Sequence, residues 1–138
     1  MRKVSLITLA FLAAATSATA QTYDSLASVD VLPGWRTANG DHIAALQITL
    51  QPGWLTYWRA PGDSGIPPTL EIAGGTGIAD LQPVWPTPEV IVDKGVRSIG
   101  YYDSVVVPLL ISPTQSGPLQ LSGTLQIGVC EEVCIPVS

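Results

Sequence analysis

The stretch Leu119-Gln120-Leu121-Ser122-Gly123-Thr124-Leu125-Gln126-Ile127-Gly128-Val129-Cys130-Glu131-Glu132-Val133-Cys134-Ile135-Pro136 decides how this chain is read. Leu119, Leu121, Leu125, Ile127 and Val129 fall on one parity, and Gln120, Ser122, Thr124, Gln126 and Cys130 on the other. A period of two is that of a half-buried strand. Continued to the strand's end, it turns Val129 into the core and Cys130 toward the polar face, so the Cys130 thiol is expected to be accessible. Glu131, Glu132 and Val133 make a three-residue connection. Cys134 can then lie beside Cys130 at the ~4.4–6.8 Å between α-carbons that a disulfide needs.

These are the only two cysteines of the chain. A disulfide that closes so small a loop restricts the unfolded chain little: loop entropy gives roughly 2 kcal/mol for about five residues, against ~4.7 for a hundred. A short-span, turn-mounted, exposed pair suits a bond that is made and broken during function. A cross-strand structural bridge is the alternative that spacing alone leaves open. Glu131 and Glu132 place negative charge beside the thiol, which opposes its ionisation. The Cys130 thiol is therefore expected to sit above the reference pKa of ~8.5.

At the other end, Arg2 and Lys3, the apolar run Leu6 to Ala15 and the small-residue site Ala18-Thr19-Ala20 read as a secretory signal peptide, residues 1–20, cleaved after Ala20. The run is short for a membrane span, and no later segment approaches the ~20 apolar residues that a spanning helix needs. Residues 21–138 are then one exported domain with no membrane insertion. Export puts the cysteines where disulfides persist. Past Ala20 the basic residues are Arg36, Arg59, Lys94 and Arg97, against eleven acidic ones. That balance argues against nucleic acid and anionic lipid as partners.

Between these ends no stretch keeps a helical period, and Gly and Pro punctuate the chain every few residues, which reads as all-β. Val29 and Val31 begin a strand running toward Trp35 and Thr37. Ala38-Asn39-Gly40-Asp41 is a tight turn, and Ile43 to Leu50 return with a slip of parity that suggests a bulge. Trp54 to Trp58 is a short aromatic strand. Arg59 to Pro68 carries three prolines and two glycines and is expected to be an ordered loop or polyproline-like crossing, tied internally by Arg59, Asp63 and Ser64. Leu70 to Ile72 and Leu81 to Trp85 are strands on either side of a Gly-rich turn, Ala73 to Ile78. Asp93 to Arg97 is a polar segment. Tyr101 and Tyr102 open a run, Val105 to Ile111, continuous enough for burial on both faces, with Pro108 marking a bulge or an edge. Ser112 to Pro118 is a turn.

Short strands with turn signals roughly every ten residues describe a β-sandwich, for which an immunoglobulin-like topology is plausible. A hairpin through the cysteines calls for a return strand longer than Ile135 to Ser138, so the domain is expected to be truncated there. His42 is the only histidine, and its place beside a turn supports no Ser-His-Asp or Cys-His apparatus. Cys130, Cys134 and His42 are suitable ligand types for copper or zinc, but two thiols are too few for a closed structural site. No metal or cofactor is expected. The Gly-Gly-Thr-Gly run has neither the spacing nor the following helix of a phosphate loop.

Four motifs, in this order, carry a resemblance: Trp58-Arg59-x-Pro61-Gly62-Asp63-Ser64-Gly65-x-Pro67-Pro68; Trp85-Pro86-x-Pro88; Gly100-Tyr101 leading to Val107-Pro108; and Cys130-x-x-x-Cys134-x-Pro136. Together they resemble the exported N-terminal domain of the DsbD-type protein-disulfide reductases, with most in common with the copper-sensitivity-suppressor branch. The resemblance implies an immunoglobulin-like β-sandwich and a periplasmic electron relay. Cys130 and Cys134 would be the redox pair, taking reducing equivalents from a membrane-embedded thiol donor and passing them to periplasmic thioredoxin-like proteins. It also makes Asp93, Lys94, Gly95, Val96 and Arg97 the loop that caps the site, without the aromatic residue found there in better-known members, which also have more residues between the cysteines. Strand parity makes Cys130 the partner-facing sulfur and Cys134 the resolving one. The alternative is a non-catalytic immunoglobulin-like binding module with a structural disulfide, in envelope copper handling.

Overall fold

Asn39-Gly40 and Lys94-Gly95 each reverse the chain between two extended runs. At the second, both residues have positive φ, 49° and 84°, the requirement of a two-residue type I′ hairpin turn. The computed structural model describes residues 25–138; the reading of residues 1–20 as a signal peptide lies outside the described residues. Among these there are ten strands: β1 (Ala27–Arg36), β2 (His42–Leu50), β3 (Leu55–Gly62), β4 (Thr69–Thr76), β5 (Ile78–Pro83), β6 (Glu89–Asp93), β7 (Val96–Tyr102), β8 (Ser104–Pro113), β9 (Gln120–Cys130) and β10 (Cys134–Val137). No helix of the described residues is long and apolar enough to cross a membrane.

All pairings are antiparallel and form two sheets, so the expected all-β sandwich is what the chain adopts. One sheet has the order β1-β2-β8-β5. The other runs β10-β9-β3-β7-β6, with β4 paired to the first part of β9. Ile48, Leu50, Val105 and Val107 from the first sheet meet Tyr101, Ile127 and Val129 from the second, with Trp54, Trp58 and Trp85 packed around them. Ala44, Leu109 and Ile111 continue this layer toward Leu70 and Leu119.

Several local expectations are corrected. In β2 the inward parity is unbroken, with Ala44, Ile48 and Leu50 all buried. The bulge lies in β1 instead, between Leu32 and Trp35, where Gly34 has φ 65°. The run Val105 to Ile111 buries only one face, because Val106 and Leu110 are exposed. Tyr101 and Tyr102 end β7 rather than opening β8. Pro108 sits within a strand paired on both sides. Its carbonyl accepts from the Val84 amide at 2.8 Å, and a strand residue points its N–H and C=O the same way. The missing N–H therefore faces the end of β5, whose last pair is Pro83 with Leu109, and the ladder to β2 is not broken. The Gly-rich run belongs mostly to β4, and β5 starts three residues earlier than expected. The four residues of β10 suffice to pair with Ile127–Cys130, so the hairpin through the cysteines does not need the longer return strand.

Tyr101 links this core to the β5–β6 connection by donating from its hydroxyl to the Pro86 carbonyl at 2.8 Å. Burial pushes its phenol up to about 12 from 10.0, with the nearby Arg59 charge working the other way. A raised phenol means the folded state favours the neutral ring, so this contribution is complete below pH 10 and disappears as pH rises toward 12. Urea unfolding is expected to show stability falling over that window, and Tyr101→Phe is expected to flatten the fall.

Candidate functional site

The last turns of β9 hold Cys130 between two strands. Leu55 of β3 is its partner on one side and Cys134 of β10 on the other. Cys130 and Cys134 form a disulfide with their α-carbons 4.2 Å apart, nearer to the ~4.5 Å of a directly opposed non-hydrogen-bonded pair than to the ~5.5 Å of a hydrogen-bonded one. The connection Glu131–Val133 closes with the Glu131 amide donating to the Val133 carbonyl at 3.5 Å. The short turn expected from the sequence thus brings the two sulfurs together.

The expected accessibility does not hold for Cys130, which is 2% exposed; Cys134 is the exposed member of the pair. The parity itself is right: Val129 faces the inter-sheet core and Cys130 the opposite face. That outer face is covered, however, by the segment between β3 and β4. Its Ile66 packs with Leu55, Tyr57, Cys130 and Ile91 as a second small apolar cluster. Two glycines make this possible. A Cβ on Gly128 would stand 2.6 Å from the Ile66 Cβ, and one on Gly65, at φ 133°, would collide with the Tyr57 ring.

Tyr57 is the side chain at the disulfide that the sequence did not disclose. Its hydroxyl donates to Cys130 Sγ at 2.9 Å and lies 3.2 Å from Cys134 Sγ, and burial raises its phenol above the usual 10.0. The aromatic run Trp54 to Trp58 is plain in the sequence, but nothing local says that β3 lies beside β9. On the other face of β3, the buried Thr56 hydroxyl donates to the Gly128 carbonyl at 2.9 Å, which fastens the two strands at the disulfide.

Residues 25–138 match the family described as thiol:disulfide interchange protein DsbD, N-terminal. The chain belongs to this family. It is also similar to the crystal structure of the N-terminal periplasmic domain of ScsB from Proteus mirabilis, with 30% sequence identity and a TM-score of 0.67 over 86% of this chain. It spans 46% of that protein's chain. No curated protein matches. The two antiparallel sheets agree with the immunoglobulin-like fold of DsbD N-terminal domains.

The motif residues Trp58 to Ser64 of this DsbD-family domain lie in β3 and the segment after it. Trp58 packs into the core, and the Arg59 guanidinium stacks over its ring at 4.9 Å. Arg59, Pro61 and Gly62 lie in β3, so the expected loop starts later. Asp63 pairs with Arg97 rather than Arg59: Nη2 to Oδ1 is 3.7 Å, with both side chains more than half exposed. Such a pair contributes little by itself. Backbone bonds hold the segment more firmly, the Asp63 amide donating to the Arg97 carbonyl at 2.8 Å and the Arg97 amide to Asp63 Oδ2 at 3.2 Å. Ser64 and Ser98 hydroxyls meet at 3.4 Å. Asp93, Lys94, Gly95, Val96 and Arg97 make the tip of the β6–β7 hairpin. No hydrogen bond among the described residues joins that tip to either cysteine. From this hairpin it is Ile91 that packs on the Cys130 cluster.

A cavity of about 970 Å³ opens between the sheets, lined by Val31, Leu70, Ile72, Leu119 and Leu121 among others. Neither cysteine borders it. Its polar neighbours are engaged, Arg36 with the Gly40 and Gly117 carbonyls and His42 with the Pro33 carbonyl.

In the reduced protein, iodoacetamide is expected to modify Cys134 at least ~10-fold faster than Cys130, because access limits the reaction of a buried thiol. Gly128→Ala, which displaces Ile66, is expected to bring the two rates together. Peptide mass spectrometry reads both, and equal rates in the unmutated protein would overturn the assignment.

Proposed function

We propose that this DsbD-family domain relays reducing equivalents in the periplasm through Cys130 and Cys134. In this reading a membrane-embedded thiol protein is the electron donor and thioredoxin-like proteins are the acceptors. The observation that carries the reading is the asymmetry of the pair: a short-loop disulfide with one sulfur at the surface and the other buried. Export of the chain is supported by the signal-peptide reading and by the periplasmic setting of the similar ScsB domain.

The asymmetry reverses the roles expected from strand parity, and Cys134 becomes the partner-facing sulfur. A donor thiolate attacks Cys134 Sγ, the bond to Cys130 breaks, and its electron pair stays on Cys130 as a thiolate. A second donor thiol then attacks the donor's sulfur in the mixed disulfide and leaves the domain reduced. Toward an oxidised acceptor the sequence runs backward: Cys134 thiolate attacks the acceptor disulfide, and Cys130 attacks Cys134 to release the reduced acceptor and close its own bond. In both directions the buried sulfur meets only its neighbour. Stray thiols are thereby kept from it, with Ile66 and Ile91 as the shield and the Asp93–Arg97 tip bracing Ile66's segment through Asp63.

Two measurements test this reading. Equilibration in glutathione buffers is expected to give a midpoint between roughly −180 and −270 mV, the span of exchange proteins, whereas a value below about −300 mV would mark a bridge built to stay closed and favour a binding module. Cys130→Ser is expected to trap a mixed disulfide on Cys134 with a thioredoxin-like partner, while Cys134→Ser traps little. The opposite pattern would return the partner-facing role to Cys130.

A further inference from the structure

We infer that Tyr57 is a catalytic residue of the exchange, its hydroxyl donating the hydrogen bond that stabilises the thiolate left on Cys130 when the disulfide opens. The inference rests on the relay reading above and deepens it.

Attack at the exposed Cys134 makes Cys130 the leaving sulfur, and the rate of exchange depends on how well that sulfur carries the charge. Its surroundings oppose a charge. Leu55, Ile66 and Ile91 enclose it, and at 2% exposure it has little contact with water. An anion buried without a partner is costly, and a hydrogen bond to a charged acceptor is worth about twice one between neutral groups. Among the described residues, the Tyr57 hydroxyl is the one side-chain donor within reach of Cys130 Sγ, at 2.9 Å. The same oxygen is 3.2 Å from Cys134 Sγ, so it already stands beside the bond that breaks.

The proton remains on the phenol. Burial has raised Tyr57 above 10.0, so the phenol keeps its proton at neutral pH and acts as a hydrogen-bond donor. The group acts as a fixed dipole aimed at the charge that develops. No rearrangement is needed to place it, because Gly65 leaves the space its ring occupies and its strand is pinned to β9 by Thr56. When Cys130 attacks in the reverse direction, the same bond holds it as the thiolate nucleophile.

The test compares the wild-type protein with Tyr57→Phe, which keeps the ring and removes one oxygen. Reduction of the oxidised protein by dithiothreitol is expected to slow about 10-fold in Tyr57→Phe, the loss of one charge-assisted hydrogen bond. In a Cys134→Ser background, thiolate absorbance is expected to place the Cys130 pKa about one unit higher with Phe than with Tyr. Site-specific 3-fluorotyrosine, a stronger donor of the same shape, is expected to move both quantities the other way. If the rate and the Cys130 pKa stay at wild-type values in both variants, Tyr57 only packs, and the inference is wrong. Dithiothreitol opens a structural bridge as well as a working one. The variant-to-wild-type ratio therefore judges Tyr57, while the wild-type midpoint in glutathione judges the relay.

Discussion

The contact on which the site depends is Ile66 against Gly128. Only a residue without a side chain lets the β3–β4 segment come down onto the outer face of β9. That contact converts the end of a one-sided strand into one buried on both faces, with Ile127, Gly128, Val129 and Cys130 all buried in succession. The same descent places Gly65 on the Tyr57 ring and turns that ring's hydroxyl toward the sulfurs. The anchorage is mostly non-ionic: backbone bonds between Asp63 and Arg97 and an apolar cluster, with the exposed ion pair adding little. Removing water from one sulfur and leaving it at the other follows from this packing and from nothing in the cysteines themselves.

Those parts of the site that depend on neighbours in sequence were legible. The alternation from Leu119 to Val129 predicts the strand and its inward face, and the three residues between the cysteines predict their pairing, because strand period and turn length are local properties. The burial of Cys130 was not legible. Gln120, Ser122, Thr124 and Gln126 say that the outer face is wet, which holds for most of β9, and the covering residue comes from 64 positions earlier in the chain. The role of Tyr57 was hidden for the same reason. Its parity with Leu55 is visible, but the adjacency of β3 and β9 is a long-range choice of topology.

The misjudged strands fail in the same physical way. A continuous apolar run such as Val105–Ile111 allows either one-sided or two-sided burial, and only the number of layers decides between them; here there are two layers, and Val106 and Leu110 face out. The Gly-rich run reads as a turn from composition, since glycine weakens a strand. In the structure it pairs with β9, where Gly123 also lies: a Cβ there would stand 2.5 Å from the Glu71 carbonyl oxygen. The two strands approach closely because side chains are missing at their contact. The segment Arg59 to Pro68 reads from its sequence as a loop tied internally. It is tied, but to the β6–β7 hairpin, so Arg97 takes the place given to Arg59.

The proposed exchange requires a domain that remains folded with its disulfide open and closed, and the placement of the cysteines suits that demand. Their proximity accompanies the register of β9 with β10, in which Ile127 to Cys130 oppose Val137 to Cys134 along a backbone ladder that runs beyond the covalent bond. Opening so short a loop returns roughly 2 kcal/mol of chain entropy to the unfolded state, against the ~5–15 kcal/mol by which domains are ordinarily stable. The inter-sheet core of Ile48, Val107, Leu109 and Val129 lies on the other side of β9 from Cys130 and has no share in the bond. A bridge linking the two sheets through that core would stabilise more and would be harder to cycle. Placing the pair across adjacent strands, outside the main core and under a small lid of its own, separates the chemistry from the fold that holds it.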